Sequence, residues 1–143
     1  MGIIGVAAFS KAIKPLVRQK CGLINTSDFK DIFDLDQIAE SLSEYINEAW
    51  KIVFDKWKVC FKEDFIDVDD EKYEIMYNTN YYLQKTTGVN AITTLLLERE
   101  DLDAFKDTML NSKLKGEEWI KGGRMAGLTS GSGFKKAIEF ITK

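Results

Sequence analysis

DLDQIAESLSEYINEAWKIVFDKWKVCF, residues 34–61, is the stretch that decides the fold. Its apolar residues Ile38, Leu42, Tyr45, Ile46, Ala49, Val53, Trp57 and Cys60 recur at steps of three and four, the spacing of one face of an α-helix. Glu40, Glu44, Glu48, Lys51, Asp55, Lys58 and Lys62 fill the other faces. The acids come early and the lysines late, which suits the helix dipole. Asp34 with Gln37 three residues on approximates a capping box, with Asp in place of Ser or Thr. The pattern predicts one helix over about 35–61, roughly seven turns long and the spine of the fold. Trp50, Phe54 and Phe61 broaden the stripe, as in a helix that is central in a core or lies in an interface.

Downstream, Thr86-Thr87-Gly88 reads as punctuation. Asn90 then caps a helix with Ile92, Leu95 and Leu96 inward, and Asp101 or Asp103 restarts it, with Leu102, Phe105, Met109 and Leu110 continuing the stripe. Residues 90–114 are therefore one bent helix or two abutting ones. Gly116–Lys121 forms a turn around Trp119. Five of the ten glycines fall within 122–133, a mobile or interface-ordered loop ahead of a short helix over Phe134–Thr142. The loop matches neither GxxxxGK[ST] nor GxGxxG, and anion binding by Ser130–Gly133 with Lys135 and Lys136 ranks below the loop reading.

Upstream, Gly2–Lys20 is apolar and basic, with Ile13, Leu16 and Val17 on a helical face; Pro15 argues for two short pieces meeting there. Gly22 ends the segment, and Thr26-Ser27-Asp28 caps a short turn through Phe33.

Between the helices, residues 63–72 (EDFIDVDDEK) fail the calcium-loop test, because position six is Lys72 and position twelve is Asn78. An acidic solvated loop is the reading. Tyr73, Tyr77 and Tyr81 share a face if the following segment is helical; the Tyr and Thr content also permits a strand. The expected class is mainly α, a helical domain with a long central helix (about 35–61) and a small β element near 64–82. The whole of 1–143 is one domain, made of a basic apolar N-terminal arm (1–22), an acidic helical core (28–114), and a Gly-rich loop with a short C-terminal helix (115–143).

Composition excludes more than it reveals. The chain has 143 residues and no histidine, so Ser-His-Asp, Cys-His and imidazole-zinc sites are gone. Cys21 and Cys60 lack CxxC spacing and read as two reduced thiols. No cofactor, metal or catalytic residue is expected. The carboxylates Glu98, Glu100, Asp101 and Asp103 read as a solvated face. The longest apolar run, Gly2–Phe9, is far short of the roughly 20 residues of a membrane span. No basic residues precede it as in a signal peptide, and Val6 stands where N-myristoylation wants Ser or Thr. An intracellular or virion location follows as an expectation.

Charge is segregated. Residues 1–27 carry net +4, residues 28–111 net −11 and residues 112–143 net +4, within an overall −3. Either the ends fold back on the acidic middle, or the basic end of one copy meets the acidic middle of the next. Nucleic acid ranks below protein as a partner, since the chain is acidic overall and has only 3 arginines.

The expected function is a non-enzymatic protein-interaction or assembly component, either self-associating or joining other components. Lysine outnumbers arginine 17 to 3 and proline occurs once, a low-GC composition that fits a phage or viral structural or accessory protein. The candidate partner-binding residues are Ile3, Ile4, Phe9, Lys11, Lys14, Arg18, Tyr77, Tyr81, Tyr82, Trp119, Lys135 and Lys136. A small acidic regulator or inhibitor that binds a host protein, its acidic middle imitating nucleic acid charge, is the second reading, and a carboxylate-dependent enzyme ranks third.

Overall fold

A computed structural model describes residues 6–21, 32–61, 63–68, 71–76 and 78–143, with side-chain surroundings for 10–20, 36–61 and 78–143. Helix α1 (Val6–Cys21) leads to α2 (Ile32–Lys56) and a 3-10 turn (Lys58–Cys60). An antiparallel hairpin follows, β1 (Glu63–Val68) and β2 (Glu71–Met76), then α3 (Thr86–Glu98) and α4 (Leu102–Asn111). A second 3-10 turn (Gly116–Trp119) and α5 (Gly131–Thr142) complete the chain. The protein is mainly helical with a small β element, as its periodicity predicts. Gly22 and the turn at Thr26–Asp28 lie outside the described residues.

Helix α2 keeps the predicted stripe: Ala49 and Val53 are buried, and Ile38, Leu42, Tyr45 and Ile46 half-buried. Its boundaries differ from 35–61. It begins at Ile32, which puts Asp34 inside the first turn rather than at the cap. It ends at Lys56, because Trp57 leaves helical geometry (φ −127°, ψ 50°) and a 3-10 turn follows. Trp57 and Cys60 nevertheless stay buried with the stripe. Their i, i+3 spacing holds one side in a 3-10 turn as well as in an α-helix.

Pro15 does not divide the first segment. It sits inside the single helix α1, at an exposed position, while Ala12 and Leu16 face the core. Pro15 removes one backbone donor, and the rest of the helix is retained.

Helix α3 is the most enclosed element. Thr87, Gly88, Val89, Ala91, Ile92, Thr93, Leu95 and Leu96 are all buried, which covers its whole girdle. It packs against α1, α4 and α5, while α2 packs chiefly on α4. Helix α2 is the long central helix that the pattern predicts, the longest of the described helices, with α3 the more enclosed of the two. The placing of Thr86-Thr87-Gly88 in a turn and of Asn90 at a cap is corrected. These threonines and Gly88 are the first turn of α3, and Asn90 Nδ2 donates to Thr86 O at 2.8 Å. Gly88 belongs there because a Cβ would overlap the Leu83 carbonyl.

Of the two readings for 90–114, two abutting helices are observed. Arg99 turns extended (φ −99°, ψ 143°), and Asp101 Oδ1 caps α4 by accepting from Ala104 N at 2.8 Å. Leu110 departs from the expected inward stripe: it is 65% exposed. The stretch expected as an acidic loop is the hairpin, with Phe65 opposite Glu74, Ile66 opposite Tyr73 and Asp67 opposite Lys72. That pairing rules out a continuous helical face through Tyr73 and Tyr81.

The glycine segment is tied by turns. Gly123 N donates to Ile120 O, Met125 N to Glu118 O and Ala126 N to Gly123 O, and Met125 is fully buried. Gly122 (φ 91°) and Gly127 (φ 79°) occupy the left-handed region that glycine adopts without strain. Helix α5 starts at Gly131, three residues earlier than expected, because Ser130 Oγ accepts from Gly133 N and caps it.

Candidate docking groove

The end of α2 and the segment after α4 are joined by a side-chain seam. Lys56 Nζ donates to Ser112 O at 2.7 Å, Trp57 Nε1 to Leu114 O at 2.9 Å and Cys60 Sγ to Gly116 O at 3.3 Å. The three acceptors are every second carbonyl, the period of extended backbone. Burial alternates in step: Ser112, Leu114 and Gly116 are buried, whereas Lys113 and Lys115 are exposed. A second bond, from Lys56 Nζ to Leu110 O at 3.4 Å, ties the same ammonium to the end of α4.

This seam is the floor of a groove of about 440 Å³, walled by Asp55–Val59 on one side and Ser112–Glu117 on the other. Four lysines line it, Lys56, Lys58, Lys113 and Lys115, against the carboxylates of Asp55 and Glu117. Among the described residues, Lys58, Lys113 and Lys115 take part in no ion pair; the one ion pair found is Arg124 Nε to Glu118 Oε1 at 3.1 Å. Val59, 44% exposed, adds an apolar contact. Lys56 and Asp55 also border a neighbouring apolar cleft of about 260 Å³ between α2 and α4, lined by Ile52, Met109 and Leu110. A basic trough and an apolar cleft therefore run side by side.

Beneath the groove the Cys60 thiol is a poor nucleophile. Burial, aided by the Glu117 carboxylate, pushes its pKa up to about 12. A buried neutral thiol suits a structural hydrogen bond.

Among the described residues, the sequence-derived binding residues do not form one site. Ile3, Ile4 and Tyr77 lie outside the described residues, and Phe9 is placed only as part of α1. Lys11, Lys14 and Arg18 are exposed on α1, and Lys135 and Lys136 on α5. Both helices pack on α3, which carries one carboxylate, Glu98. Tyr81 and Tyr82 are half-buried: Tyr81 bridges Ile120, Tyr82 N donates to Trp119 O at 2.7 Å, and Lys85 Nζ lies 4.7 Å over the Tyr82 ring. Trp119 is a correction. It is fully buried, edge-to-face with Trp57 at 5.3 Å, and belongs to the core rather than to a surface. Ser130 Oγ already occupies the Gly133 amide that an anion at the start of α5 would need.

The groove residues Lys58, Val59, Lys113 and Lys115 were missed as a set. The available signal is the alternation of lysines with uncharged residues in Ser112-Lys113-Leu114-Lys115-Gly116, a strand period following a helix.

A further cleft of about 310 Å³ lies between α1 and α2, lined by Ile38, Leu42 and Tyr45, with Lys20 Nζ 4.8 Å above the Tyr45 ring. Among the described residues no group of His, Cys, Asp and Glu is arranged to hold a metal, and no helix is long and apolar enough to cross a membrane. No protein-family model, curated protein or solved structure matches the chain.

Proposed function

We propose that the chain is a non-enzymatic interaction or assembly component whose docking surface is the groove between residues 55–59 and 112–117. One observation carries this reading: lysines without ion-pair partners among the described residues flank the exposed Val59, beside an apolar cleft. The complementary partner is an extended segment that alternates apolar and acidic residues. Apolar contact would supply affinity, and the lysine rim would supply orientation and encounter rate. The lysine-rich, proline-poor composition supports a phage or viral component as the setting.

The test is a fluorescence anisotropy titration with a labelled octapeptide alternating Asp and Leu. Saturable binding is expected, weakened at least about tenfold in a Lys113→Glu/Lys115→Glu variant. An Asn-Leu counterpart should bind far more weakly. Equal affinity of wild type and variant, or no binding by wild type, would overturn the reading.

A further inference from the structure

The chain itself carries a segment of the required chemistry. Glu63, Asp64, Asp67, Asp69, Asp70, Glu71 and Glu74 crowd the sequence of the β1–β2 hairpin, against Lys72 as its cation. Phe65, Ile66, Val68 and Ile75 supply the apolar share. Taking the groove as a docking surface, we infer that it receives the acidic hairpin of a second copy of this chain, giving a two-fold dimer.

Three observations converge on this occupant. The first is charge complementarity: the groove presents Lys58, Lys113 and Lys115, and the hairpin carries seven carboxylates. The second is position. Val59 ends one wall of the groove and Glu63 opens β1 only four residues later. Donor and acceptor surfaces that adjoin in this way can be exchanged about a two-fold axis, so each contact is made twice and the assembly closes. Each strand of the hairpin has six residues and is about 20 Å long. The third is the overall charge pattern. The described residues place one ion pair between opposite charges, so folding back of the ends leaves the segregation of +4, −11 and +4 largely without intramolecular ion pairs there. Segregated charge attracts between copies despite a net −3, and only across the Debye length of about 8 Å at physiological salt.

The experiment measures native mass by light scattering, over a concentration series at low and high salt. Wild type is expected to approach twice 16.3 kDa at low salt and to fall back toward one copy at high salt. A groove-reversed variant (Lys58→Glu, Lys113→Glu, Lys115→Glu) and a hairpin-reversed variant (Asp64→Lys, Asp67→Lys, Glu71→Lys) should each be monomeric with unchanged helical circular dichroism. Mixed together they should restore the dimer, because the reversed groove of one fits the reversed hairpin of the other. A wild type that is monomeric throughout, or a mixture that stays monomeric, would overturn the inference. If such a monomer still binds the Asp-Leu peptide through Lys113 and Lys115, the docking surface stands with a foreign partner and self-association alone fails. A dimer indifferent to the groove reversal sinks this inference, and the peptide titration then decides the docking reading separately.

Discussion

Trp57 and Trp119 face each other in the core, yet their indole N–H groups differ in circumstance. Trp57 Nε1 is satisfied by Leu114 O, whereas Trp119 Nε1, among the described residues, is buried without a partner. Both Trp→Phe changes lose packing, but only Trp57→Phe orphans a carbonyl. Trp57→Phe should therefore destabilise by about 1–3 kcal/mol more than Trp119→Phe, as read from urea denaturation midpoints. Equal losses would show that packing alone matters at this pair.

Cys60 makes a second prediction at this scale. Its pKa rises from 9.0 to about 12 on folding. Below pH 9 both states hold the proton. Above it the unfolded chain releases the proton and the folded chain does not, so stability falls with rising pH, at most about 1.4 kcal/mol per unit, until pH 12. Cys60→Ala should lack this component of the alkaline slope, and identical slopes in both proteins would refute the assignment. The sequence marks Cys60 as a core position through its periodicity; its thiol partner, Gly116 O, lies 56 residues away and left no trace there.

Helices were legible wherever apolar spacing was regular, and their ends were not. The stripe of α2 runs on through Trp57 and Cys60 because three-residue spacing does not distinguish the two helix types. The start of α3 was misread because Thr86-Thr87-Gly88 has turn composition; glycine is there for close approach to Leu83, which only the folded chain reveals. Gly88→Ala should accordingly cost about 1–3 kcal/mol by overpacking, measurable in chemical denaturation. Asp101 was legible as a cap, and Asp101→Ala should cost about 1 kcal/mol while Asp101→Asn stays close to wild type. Pro15 carries the opposite sign. Pro15→Ala restores a backbone donor in α1 and should raise the melting temperature, worth up to about 3 kcal/mol. An unchanged or lowered melting temperature would mean that the helix is already adapted to the ring.

For the molecule as a whole, helix α1 is a wall of the core. Leu16 is fully buried in the shared core and α1 packs on α3. Leu16→Ala is expected to cost about 2–5 kcal/mol in a denaturant titration. Removing residues 1–20 would strip that wall, so loss of assembly in such a truncation would not distinguish docking from unfolding. Charge segregation was legible in the sequence, and so were the exposed lysines of α1 and α5. The groove was not. Its two walls come from opposite ends of a long excursion through the hairpin, α3 and α4, and nothing local announces that residues 56–60 will meet residues 112–116.

That meeting has a consequence for how the chain tolerates change. In a backbone ladder every rung is alike, so a strand can slip by two residues and remain hydrogen-bonded. At this seam the three donors are an ammonium, an indole and a thiol, each with its own reach. A slip by two would still offer carbonyls to these donors, but it would set Leu114 or Glu118 where Gly116 sits, and a Cβ there would overlap the Val59 side chain. Extra or missing residues elsewhere in the excursion can be taken up by its loops, but the segment itself has a single seating.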